Sequence, residues 1–109
     1  MSNDVTAGPI RACRSGSGGL EIVGLHLPIY IDKPDVDDLF DVFRQAMASD
    51  VGDPENSTFR LVRNAAGALV LCERARGGDV RRRGGFVVIV RIDRQDVSDL
   101  FDVFRQLME

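Results

Sequence analysis

With 109 residues, 44% hydrophobic and 28% charged, the chain has apolar surface enough for one core, which excludes a disordered chain and makes a second domain unexpected. Its apolar runs fall far short of the ~20 residues a membrane span needs. Residues 1–8 lack the basic and apolar regions of a secretory signal, so a cytoplasmic location without membrane contact is expected. The net charge of −3 conceals a segregation. Residues 58–94 hold nine arginines against Glu73, Asp79 and Asp93, a balance of +6, whereas residues 1–57 hold four basic against ten acidic residues, a balance of −6.

In chain order, residues 7–13 read as a strand and Gly16 to Gly19 as a turn. That turn lacks the lysine of a phosphate-binding loop and the later glycine of a dinucleotide fingerprint. Leu25, Leu27, Ile29 and Ile31 alternate, which predicts a strand with these four on the core face. Val36, Leu39, Phe40, Phe43 and Met47 follow at helical spacing, with Asp32 placed to cap the helix N-terminus and Pro34 suited to its first turn. Residues 50–57 form a loop. An additional strand is predicted over 58–64, joined to Leu69–Cys72 by a hairpin in which Gly67 takes positive φ. After a loop from Gly77 to Gly85, Phe86, Val88, Val90 and Ile92 alternate as a last strand. Val97, Leu100, Phe101, Phe104 and Met108 then mark a second amphipathic helix, with Asp93 at its N-cap.

The helix segments repeat. Asp38-Leu39-Phe40-Asp41-Val42-Phe43-Arg44-Gln45 is identical to Asp99-Leu100-Phe101-Asp102-Val103-Phe104-Arg105-Gln106, at an offset of 61. Upstream, residues 7–13 align with 66–72, which predicts two strand-strand-helix units at about 7–49 and 66–109. The expected fold is α+β: an antiparallel sheet with both amphipathic helices on one face, the rings of Phe40, Phe43, Phe101 and Phe104 all buried.

The repeated polar residues are the first candidate surface, because packing places no demand on Asp38, Asp41, Arg44 and Gln45 or on Asp99, Asp102, Arg105 and Gln106. Across a two-fold relation Asp41 would meet Arg105 and Asp102 would meet Arg44. The second is the arginine-rich loop holding Arg74, Arg76, Arg81, Arg82 and Arg83, suited to phosphates or to an acidic partner, although no aromatic residue is interleaved to stack bases. The third is the strand face opposite the core, with Ile22, His26, Tyr30, Val87 and Ile89, which is apolar enough to predict a homodimer.

His26 is the only histidine, and Cys13 and Cys72 are far apart without metal-binding or redox spacing; buried free thiols are expected, and no catalytic set, metal site or cofactor motif is read. One lysine against thirteen arginines fits a GC-rich bacterial or bacteriophage genome. The sequence therefore points to a non-enzymatic module of bacteriophage or accessory-genome type that binds a protein partner. Nucleic-acid binding through residues 74–83 is the alternative.

Overall fold

The computed structural model describes residues 4–25, 27–49, 52–74 and 85–108. Its elements run β1 (Asp4–Ala7), β2 (Ile10–Arg14), β3 (Leu20–Val23), β4 (Ile29–Ile31), α1 (Lys33–Ala48), β5 (Phe59–Arg63), β6 (Leu69–Arg74), β7 (Phe86–Ile92) and α2 (Arg94–Met108). The fold is α+β. Its strands divide between two antiparallel sheets, β1-β2-β3-β4 (sheet A) and β5-β6-β7 (sheet B), where the sequence suggested one. Two short strands, β1 and β3, exceed the sequence reading. Their apolar residues are too few to show a period on their own.

One core joins all elements. Ile10, Ala12, Leu20, Ile22, Ile29 and Ile31 of sheet A meet Phe59, Leu61, Leu69, Leu71, Val90 and Ile92 of sheet B and the apolar stripes of both helices. Alternating burial along β2, β3 and β4 puts Arg11, Cys13, Glu21 and Tyr30 on the other face. Helix α1 packs on β5 of sheet B, and α2 packs on β1 and β2 of sheet A, so each helix covers the sheet it does not follow. Between the helices, Phe43 stacks on Phe104 with centroids 3.9 Å apart and planes at 13°. Reciprocal edge contacts flank the stack: Phe40 to Phe104 at 5.9 Å and 85°, and Phe43 to Phe101 at 6.3 Å and 81°. Phe101 is half-buried, unlike the other three rings, which are buried as expected. Helix α1 starts without the expected carboxylate cap at Asp32, whose carbonyl accepts from Asp35 N; at the start of α2 the Asp93 carbonyl likewise accepts from Asp96 N.

The sheets share a pairing register. Arg14 pairs with Leu20 and Leu20 with Ile31, just as Arg63 pairs with Leu69 and Leu69 with Ile92. The intervening turns match. Ser15 N and Asn64 N donate to the carbonyls of Gly19 and Ala68 at 3.0 and 3.1 Å, while Gly18 and Gly67 hold φ of 90° and 83°. Ahead of β5, the Glu55–Arg60 bridge repeats the Thr6–Arg11 pairing of β1 with β2, and the Arg60–Asp53 ion pair repeats Arg11–Asp4. In register β2 therefore corresponds to β5 at an offset of 49, as Arg14 does to Arg63, and not to β6 as the alignment of residues 7–13 suggested. The offset grows from 49 to 61 between β6 and β7, so twelve additional residues fall there, within the arginine-rich stretch.

Strand β7 departs from simple alternation. A register shift between Leu71 and Cys72 takes Leu71 to Val90 and Cys72 to Val88, leaving Ile89 as the extra residue of a bulge. The bulge turns Val88 out of the expected core face: it is 60% exposed. Leu27, expected on the core face, is 57% exposed because it lies ahead of β4, which begins just after Pro28. Proline has no N–H to extend the ladder.

Candidate interaction surface

The identical helix residues meet different surroundings. On α1, Asn56 Nδ2 donates to the Asp38 carbonyl at 2.8 Å and to Asp41 Oδ2 at 3.1 Å, while its Oδ1 accepts from the backbone N–H groups of Thr58 and Phe59. Thr58 Oγ1 donates to Asp38, and Gln45 Nε2 donates to Asp41 at 3.0 Å. Asp38 and Asp41 thus fasten the chain entering β5 onto α1. The matching Asp99 of α2 faces Gly8, at the entry to β2, where a Cβ would collide with its carboxylate. Packing of the opposite unit's first strand accounts for this aspartate in both helices. Asn56→Ala should cost about 1–3 kcal/mol, since it orphans part-buried backbone donors together with a carbonyl. Urea denaturation measures it, and a loss under 0.5 kcal/mol would deny the fastening role.

The expected cross-pairs are absent. Arg105 Nη1 bonds Asp102 on its own helix at 2.6 Å, and Arg44 Nη2 reaches Met108 Sδ at 3.6 Å. Adjacent turns of one helix reach each other more readily than arginines reach across a ring stack. Gln106 Nε2 donates to the Thr6 carbonyl at 3.3 Å. Of the eight repeated residues, Arg44, Gln45, Asp102, Arg105 and Gln106 remain exposed.

Ile22, Ile89 and Val87 depart from the expected strand face. Ile22, read as part of the outer face, is buried in the core because β3 pairs with β2 and β4 and directs Ile22 with Leu20 inward. Ile89 is the bulged residue and packs partly on the core. Tyr30 stands 68% exposed, as expected of an outer face; Val87 is 41% exposed but pairs with Glu73 in the row of Phe59, on the side of sheet B opposite Val88, because the bulge exchanges the faces there. His26 lies outside the described residues, as do Arg76, Arg81, Arg82 and Arg83. Arg74 is described: its guanidinium lies over Phe86, 4.9 Å from the ring centroid, and its Nε donates to the Ser57 carbonyl.

Cross-strand pairing sets out the outer faces, because directly opposed residues point to the same side. On sheet A, Asp4, Cys13, Glu21 and Tyr30 form one row. On sheet B the equivalent row is Val62, Val70 and Arg91, and beside it run Arg60, Cys72 and Val88. Tyr30 and Arg91 hold matching places, as do Glu21 and Val70. The sequence reading missed Glu21 and placed Leu27 on the core face; the matching offset that sets Glu21 against Val70 was the signal that could have found the first.

Both thiols are raised above the usual range, by desolvation first, with Asp4 next for Cys13, and Arg60 opposing for Cys72. Cys72 is buried as expected, while Cys13 is only partly so. A hydrogen bond from Arg11 holds the Asp4 carboxyl below the usual range. No described helix is long and apolar enough to cross a membrane. No protein-family model, no curated protein and no solved structure matches the chain.

Proposed function

We propose that the chain is a non-enzymatic protein-interaction module of bacteriophage or accessory-genome type, and that it docks its partner on the strands leading into the two helices. One observation carries this reading. The large apolar side chains left in solvent among the described residues, Leu27, Tyr30, Val87 and Val88, all belong to those two strand segments, and Leu27 and Val88 occupy matching positions. Single exposed apolar residues are ordinary; their concentration at equivalent places is what a recognition surface requires. Capture on the immobilised wild type and on immobilised Val88→Ser, from a bacterial lysate supplemented with the purified chain, tests the reading. A protein retained by the wild type and reduced at least ~10-fold by Val88→Ser is expected, about 1.4 kcal/mol of lost contact. Equal retention by both would overturn it.

A second reading, nucleic-acid binding through residues 74–83, draws support from the balance of +6 over residues 58–94 and from the twelve-residue excess between β6 and β7. Replacing Arg81, Arg82 and Arg83 with alanine should then flatten the slope of log affinity against log salt by roughly two to three units. An unchanged slope removes that reading.

A further inference from the structure

We propose that the partner seated on this surface is a second copy of the chain, with the outer face of sheet A of one copy packed on the outer face of sheet B of the other, and the reverse contact completing a two-fold dimer. This rests on the docking reading above and names its occupant.

Complementarity at matching places is the argument. The register places Glu21 beside Tyr30 on sheet A and Val70 beside Arg91 on sheet B. Packing A on A would set carboxylate against carboxylate, and B on B guanidinium against guanidinium. Packing A on B sets the Glu21 carboxylate and the Tyr30 ring against the Arg91 guanidinium, an ion pair with a cation–π contact beside it. Arg91 has one weak partner on its own chain, Asp93 at 3.7 Å, and stays 60% exposed. Val62, Val70 and Val88 supply the apolar ground that Tyr30 and Leu27 would cover.

Dimensions allow the contact. Both sheets and both helices share one core within extents of 44 × 34 × 24 Å. The broadest section, 44 × 34 Å, exceeds the ~800 Å² each partner commits to a stable interface. Two-fold symmetry doubles every contact, so one substitution removes two of them.

The chain has one tyrosine and no tryptophan, so intrinsic fluorescence reports on Tyr30 alone. Sedimentation velocity and Tyr30 fluorescence across a dilution series should give one shared dimer transition. Arg91→Glu and Glu21→Arg should each raise the dimer dissociation constant at least ~10-fold, by placing like charges opposite one another twice over. A chain carrying both substitutions should return to within ~3-fold of the wild type, because exchanged charges attract again. Circular dichroism of each variant confirms that the fold is retained. A wild type that sediments as a monomer at millimolar concentration overturns the proposal; if a foreign protein is still captured in a Val88-dependent way, the docking reading survives that failure. A dimer indifferent to both single exchanges, or one that the double exchange does not restore, overturns the pairing of sheet A with sheet B.

Discussion

Phe43→Ala should unfold the protein under conditions where most substitutions are tolerated, costing about 3–5 kcal/mol out of the ~5–15 kcal/mol typical of a domain's whole stability. The ring is 1% exposed and stacks on Phe104, which is itself fully buried, so truncation removes apolar area and leaves a void between two helices that cannot close on it. Phe104→Ala should cost a similar amount because the stack and the flanking edge contacts to Phe40 and Phe101 are reciprocal. The two losses should not add. In a double-mutant cycle, a coupling of about 0.5–1.5 kcal/mol is expected for rings that share one contact. Phe101→Ala, at a half-buried position, should cost less than either. Guanidinium titration of the four variants against the wild type reads these values, and a Phe43→Ala loss near 1 kcal/mol would mean that the stack does not hold the helices together.

The helices were legible because a three- and four-residue apolar period over fifteen or so residues leaves little room for another structure. Leu39, Phe40, Val42 and Phe43 are buried as that period requires, and Leu100, Val103 and Phe104 likewise. Strands were harder. Four residues such as Leu20–Val23 carry two apolar positions on one face and one on the other, too few to set a period, so burial of Ile22 follows from its pairing with β2 and β4. On β7 the alternation is visible in sequence, but a bulge at Ile89 exchanges the faces on one side of it, and no local signal marks which residue is extra.

Identical sequence also failed to fix identical surroundings. Asp38 and Asp99 belong to the same octapeptide, yet one is held by Thr58 Oγ1 and the other faces a glycine, because the chain entering β5 carries Asn56 and Thr58 where the chain entering β2 carries Ala7 and Pro9. The expected Asp41–Arg105 contact assumed that the two-fold relation would be expressed in charges. The reciprocity is expressed in rings, since the residues nearest the contact are Phe43 and Phe104, and the arginines stand outside it. The candidate surface was accordingly half legible: Tyr30 was identified by strand parity, while Glu21 needed the pairing of the sheets, and Leu27, outside any strand, stands exposed where the alternation placed it in the core.

Gly24→Ala should be the most damaging change among the described glycines, costing about 2–5 kcal/mol as the sum of a left-handed conformation at ~1–2 kcal/mol and an overpacked contact at ~1–3 kcal/mol. Gly24 leaves β3 with φ of 97°, and an added Cβ would press on the Pro9 carbonyl oxygen and lie 2.9 Å from Ile10 Cα. Those atoms are backbone, and Ile10 is fully buried, so neither can withdraw without disturbing the pairing of β2 with β1 and β3. Two other glycines separate the contributions. Gly52 has φ of 87° and nothing within 4 Å, so Gly52→Ala should show only the conformational part, about 1–2 kcal/mol. Gly16 has open space and no positive φ, so Gly16→Ala should be neutral or stabilising by up to about 1 kcal/mol through the unfolded chain. Thermal denaturation of the three variants should rank Gly24→Ala well below Gly52→Ala, and Gly52→Ala below Gly16→Ala. Equal melting temperatures for Gly24→Ala and Gly52→Ala would show that β3 does not lie against the Pro9–Ile10 backbone as described.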